Sequence, residues 1–256
     1  MLKNIAFIGI IIVLGLLIFA GVGIGNDVDD VNTGDDVKDQ MEQDLVQDEE
    51  TTPPEEVVVI PRGEEQFMIL INKQNSVTED FKPADLELTA YRATDRAESN
   101  QYMVSAAAIA FNTLSEAAKE AGYEIVVTTA YRSYGFQKIL YDNYVAKDGQ
   151  EAADTYSARP GTSEHQSGLA ADVSSPSVGY KLTQDYANAP EGQWLAENCH
   201  LYGFIIRFPE GKTDITGYIY EPWHIRYVGV EVATYIMENN LTFEEYIQLC
   251  EENPQE

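Results

Sequence analysis

Positive charge is scarce in this sequence. Sixteen lysines and arginines stand against 43 aspartates and glutamates, a formal net charge of −27 over 256 residues. Such a chain has no basic surface with which to grip phosphates, which excludes nucleic acid as a partner. Anionic lipid and other polyanions should repel it. Cysteine is scarcer still, with Cys199 and Cys250 lying 51 positions apart. Two cysteines do not make a disulfide framework, and both fall in apolar helical patterns, so buried free thiols are expected. There are three histidines, His165, His200 and His224, so a histidine-rich metal site has few candidates to draw on. No internal repeat is visible.

What is present divides the chain into three. Residues 5–25 form 21 uncharged, mostly apolar positions, IAFIGIIIVLGLLIFAGVGIG. A helix of that length spans the roughly 30 Å hydrocarbon core of a bilayer. Lys3 precedes it and acids follow, which places everything after Gly25 outside the cytoplasm. A cleaved signal peptide, leaving a secreted protein, is the alternative. Its apolar region is ordinarily shorter, and the small residues near Gly23 and Gly25 make a poor cleavage site. Residues 26–60 carry 13 acids and one lysine, with a Thr-Thr-Pro-Pro break at 51–54. A stretch that polar buries too little apolar surface to offset its ordering entropy, so a disordered, extended acidic stalk is expected. Residues 61–256 then read as one globular domain, long enough to bury a core.

Within that domain the hydrophobic spacing predicts strands over 67–71, 125–129, 170–173, 204–208 and 223–228. Helices are expected over 99–121, ended by Gly122, and over 134–148, 194–202, 232–237 and 242–250. Thr242 and Glu245 have the spacing of a capping box for the last of these. Helices and strands mix without a regular βαβ repeat. The expected class is therefore α+β, with a small central antiparallel sheet flanked by helices.

Catalytic zinc takes three protein ligands from His, Asp, Glu or Cys and leaves a position open. His200 is a poor candidate: on a helical wheel it points away from the apolar side, and it reads as a solvated residue near a helix C-terminus. His165 lies in SEHQSGLAADV, where Gly168 allows a tight turn and Asp172 follows seven positions on, between Ala171 and Val173. An unpaired carboxylate in an apolar strand is costly, and metal ligation removes that cost. His224 lies in EPWHIRYV, three residues after Glu221. An acid so placed, with Pro222 breaking the strand, can stand beside a metal without ligating it, where a general base belongs. The structural alternative pairs Glu221 with Arg226 or with backbone in a packed edge strand.

Taken together, TAYRSYGFQ at 129–137, SARPGTSEHQSGLAADV at 157–173 and EPWHIRYVG at 221–229 resemble the VanY family of zinc D-alanyl-D-alanine carboxypeptidases. The resemblance runs from about residue 67 to about residue 246. It implies a zinc ion (Zn2+) held by His165, Asp172 and His224, with Glu221 as the general base that takes a proton from the attacking water. It implies that Arg132 sits beside the scissile carbonyl or the substrate carboxylate, and that Ser163 and Gln137 contact substrate or line the pocket. The expected activity is removal of the C-terminal D-Ala from peptidoglycan stem peptides outside the membrane, by a monomer. An L,D-carboxypeptidase acting on the stem tetrapeptide and a non-catalytic wall-binding domain are the alternatives. Residues that select the bond are expected within 174–192 and 210–220.

Overall fold

The computed structural model describes residues 59–254. The expected anchor at 5–25, and the stalk as far as residue 58, lie outside them. No helix among the described residues is long and apolar enough to cross a membrane.

In chain order the regular elements are β1 (Leu86–Leu88), β2 (Tyr102–Val104), α1 (Ser105–Glu120), β3 (Val126–Thr129), α2 (Tyr134–Asp148), α3 (Gln150–Tyr156), β4 (Ala170–Ser174), α4 (Pro190–Asn198), β5 (Phe204–Ile206), α5 (Thr213–Thr216), β6 (His224–Tyr227), α6 (Val230–Glu238) and α7 (Phe243–Glu252). Short 3-10 turns join several of them. The class is α+β, with two antiparallel sheets where one was expected. β1 pairs with β2, and β3, β4, β6 and β5 form a four-stranded sheet in that order.

The four-stranded sheet sorts its side chains by the period of two that a strand imposes. Ala171, Val173, Phe204 and Ile225 turn to one face, where Phe111, Leu114 and Ala118 of α1 complete the main apolar core. Phe111 meets Phe204 edge to face at 6.2 Å. Fully burying side chains such as Phe111 and Leu114 stabilises the fold by about 1.5–3 kcal/mol each. The other face carries Asp172, His224 and Arg226. Asp172 stands directly opposite His224 in the β4–β6 register, and Ala170 stands opposite Arg226. The site is thus built on the polar face of a sheet whose reverse is core.

Several expectations need correction. Residues 67–71 are not a strand. They form a 3-10 turn (Glu65–Phe67) followed by unpaired extended chain, and the carbonyls of Phe67 and Ile69 accept from Arg226 Nη2, each at 2.8 Å, in place of a neighbouring strand. The helix expected over 99–121 starts at Ser105, because Tyr102–Val104 is drawn into pairing with Leu86–Leu88. The helix expected over 194–202 begins earlier, at Pro190, and ends at Asn198; residues Cys199–Tyr202 tighten into a 3-10 turn. His200 lies within that turn. It is partly buried, and its Nδ1 is sealed from solvent without a hydrogen-bond partner among the described residues. Cys199 is a buried free thiol, as expected, whereas Cys250 is only half-buried. The capping box at Thr242 and Glu245 is present at the start of α7.

Candidate active site

The 3-10 turn Glu164–Ser167 delivers His165 and closes on Gly168, whose φ is +68°. That left-handed backbone favours glycine, and a Cβ there would also crowd the end of the Leu86 side chain, 2.9 Å from Cδ2. The chain then enters β4 and presents Asp172. β6 brings His224 alongside it, and the turn before β6, closed by His224 N–H donating to Glu221 O (3.1 Å), carries Glu221 to the same place. His165, Asp172 and His224 are all buried, and one ligand atom from each lies within 4.8 Å of the others.

The donor atoms can be assigned from their partners. His165 Nδ1 lies 2.7 Å from Ala130 O. A carbonyl can only accept, so Nδ1 carries the proton and Nε2 is free; it faces Asp172 Oδ2 at 3.3 Å. His224 turns Nδ1 onto Asp172 Oδ1 at 3.0 Å. Two donors roughly 2.0–2.1 Å from a tetrahedral zinc stand only a little farther apart than these pairs do. A donor set of two imidazoles and one carboxylate on dry walls therefore fits Zn2+.

The charges support that fit. Burial, then the Arg132 guanidinium, lower the His165 imidazole and keep it neutral. Burial also pulls His224 down, but the neighbouring Asp172 and Glu164 carboxylates override it and raise that ring to about 9. Burial pushes Asp172 up, yet the two histidines hold it well below the usual carboxylate range. Glu221 is different. Burial raises it to about 7, with His224 and Arg132 opposing and Asp172 adding to the rise. Its Oε2 lies 3.8 Å from His224 Nδ1.

A cavity of about 550 Å³ opens over these groups, lined among others by Arg132, Ser163, Tyr156, Phe208, Tyr218 and Trp223. From the two segments expected to select the bond, Leu182, Tyr218 and Ile219 reach it. Arg132 donates from Nη1 to Gln137 Oε1 (2.8 Å) and from Nη2 to Thr129 Oγ1 (3.2 Å), and Nη2 stands 3.8 Å from Asp172 Oδ2. Gln137 is fully buried, and its Nε2 donates to Ala158 O (2.6 Å), so its amide is occupied at both ends and reaches the cavity through Arg132. His200 does not join the cluster.

The VanY family model, D-alanyl-D-alanine carboxypeptidase, matches residues 100–230, a span that holds the triad, Glu221 and Arg132. The chain belongs to the VanY family. It is a peptidase of that family, and its His-Asp-His group could hold a metal ion. The Bacillus subtilis protein YodJ is 42% identical over 185 residues, covering 72% of this chain and 68% of that one. Among solved structures, the LdcB LD-carboxypeptidase superposes with a TM-score of 0.67 at 43% identity, over 70% of this chain and 84% of that one. The vancomycin resistance D,D-pentapeptidase VanY, in complex with Zn(II), superposes at 0.60 and 33% identity, over 72% and 99%.

Sequence reasoning missed Glu164, Arg207 and Arg226, which lie behind His224. Glu164 Oε1 accepts from Arg207 Nε (2.7 Å) and Arg226 Nη1 (2.8 Å), and all three side chains are buried. Burial alone would raise the Glu164 carboxyl; Arg207 and Arg226 outweigh it and hold the group well below its ordinary value. The available signal was two arginines inside otherwise apolar strand patterns, FIIRF and HIRYV. Buried arginines require a buried acid.

Proposed function

We propose that this protein is a zinc D,D-carboxypeptidase that removes the terminal D-Ala from peptidoglycan stem peptides. The observation that carries the reading is the position of Arg132, a partly buried guanidinium at the cavity wall, 3.8 Å from the central metal ligand Asp172. A cationic fork beside the metal ligands holds a free carboxylate and so restricts cleavage to the last peptide bond. His165, Asp172 and His224 are the residues that hold the metal. When bound there, zinc supplies Lewis acidity toward the scissile carbonyl and lowers the pKa of the attacking water. Glu221, beside the three ligands and on the cavity wall, is placed to accept that proton and return it to the leaving amine. Ser163, on the cavity wall, orients the substrate, and Gln137 holds Arg132 in place.

A second reading is favoured by the likeness to LdcB: an L,D-carboxypeptidase acting on the tetrapeptide. Mass spectrometry of the zinc-loaded protein with stem pentapeptide and tetrapeptide in parallel, with Glu221→Ala as control, separates the two. Loss of one D-Ala from the pentapeptide alone is the expected result. Loss from the tetrapeptide moves the assignment to an L,D enzyme. Turnover of neither, equal to the control, defeats both and leaves wall binding without cleavage.

The same reading has residues 5–25 anchor the protein and the acidic stalk hold a monomeric domain outside the membrane. Protease added to intact cells should remove the domain. A domain found free in the medium with a new N-terminus would favour signal cleavage, and a domain resistant until lysis would overturn export.

A further inference from the structure

His224 has two ring nitrogens, and the metal site uses one. Nδ1 turns to Asp172. Nε2 points the opposite way, into the protein, and is buried with no hydrogen-bond partner among the described residues. A second buried orphan faces it: Glu164 Oε2 also lacks a partner and lies 3.7 Å from His224 Nε2. Two unpaired polar atoms facing each other in a dry interior are costly apart and complementary together.

The rest of the network explains why that oxygen stays available. Glu164 Oε1 is held by both Arg207 and Arg226. Arg207 is anchored at its far end by a bidentate pair with Glu244 of α7 (2.8 and 2.6 Å), and Glu244 also accepts from Asn72 (3.1 Å). Arg226 is clipped to the Phe67 and Ile69 carbonyls. The carboxylate cannot swing, so its Oε2 is aimed at the back of the imidazole.

We propose that Glu164 is a positioning residue for the metal site: it accepts the proton on His224 Nε2, fixing the tautomer and ring plane in which Nδ1 is free to ligate. The proposal rests on the zinc reading of the triad. Carboxylate partners of metal-bound histidines act in this way, and their loss typically weakens metal binding about 10–100-fold. A carboxylate that merely neutralised two buried arginines would have no reason to leave an oxygen facing the ring.

The test uses the full chain stripped of metal and titrated with zinc against a chromophoric chelator. Glu164→Gln keeps the volume and an oxygen for the arginines, but places an N–H donor or a weaker acceptor opposite Nε2. Its zinc affinity should fall about 10–100-fold. Glu244→Gln disturbs the same arginine from the other end without touching His224, and its affinity should stay within about threefold of wild type. Equal losses in the two variants, or no loss in Glu164→Gln, overturn the proposal. A long-range nitrogen–proton NMR spectrum of zinc-loaded wild type reads the tautomer directly, so the proposal is tested even if Glu164→Gln does not fold. Nε2 of His224 should be protonated and Nδ1 metal-bound; the reverse overturns it. Wild type that takes up no zinc defeats the metal-site reading itself, and this proposal with it, which is a different result from weakened binding in the variant alone.

Discussion

The two sides of His224 make an instructive pair. On the cavity side stands Glu221, and on the interior side stands Glu164. Both are glutamates, both are buried or nearly so, and both lie within 4 Å of the same ring. Their protonation is driven in opposite directions. Glu221 has one distant guanidinium and the like charge of Asp172 nearby, so burial dominates and raises it to about 7. Glu164 has two guanidiniums in direct contact, which overcome complete burial and keep it ionised. The environment, not the residue type, makes one a base able to cycle a proton and the other a fixed anion.

The comparison can be broken most forcefully from the interior side. Arg226→Met leaves Glu164 with one cation and strips two backbone carbonyls of their donor. Removing one partner of a buried charge network costs about 3–5 kcal/mol, and chemical denaturation should show a loss of that size. A loss under 1 kcal/mol would mean that the network is solvated and the contrast is empty.

The cavity side should respond with the opposite sign. Glu221 has a folded-state value near 7, above its ordinary 4.5. The folded protein therefore keeps a proton that the unfolded chain has lost, and the metal-free protein loses stability as pH rises from 4.5 to 7, then levels off. Glu221→Gln removes that decline. Metal-free Glu221→Gln should be more stable than wild type at pH 8, by about 3 kcal/mol, while the two should agree near pH 4.5. Thermal melts in chelator at both pH values check it, and parallel pH profiles would contradict it.

The smallest expected effect is on the ring between them. In the metal-free protein His224 is raised to about 9, so zinc must displace a proton from it. Apparent zinc affinity should climb about tenfold per pH unit at neutral pH and flatten near pH 9. A flat profile from pH 7 to 8 would show that Nδ1 is already free.

That His165, Asp172 and His224 come together, with Glu221 and Arg132 beside them, was legible because the spacing within each motif is local. Each motif is a contiguous run, and each ligand sits at a turn or strand position that glycine or proline marks. Glu164 was not legible, although it adjoins His165, because its burial is conferred by arginines 43 and 62 residues away. Residues 67–71 carry a strand's pattern, yet their carbonyls are satisfied by a side chain rather than a neighbouring strand. α3, with Ala153 as its one buried residue, has no apolar stripe to announce it. The boundary of α1 was misplaced because pairing with β1 outbids the helix for Tyr102–Val104, a decision taken outside the local window.

The direct pairing of Asp172 with His224 across β4 and β6 also imposes an order of events on biosynthesis. His165 and Asp172 are synthesised first, and His224 follows 52 residues behind Asp172. Until β6 docks in its register, the growing chain offers two of the three donors and only the β3–β4 part of the sheet. On the zinc reading, a chain ending before residue 224 lacks the third donor, and the full set of three exists only once β6 has joined β4.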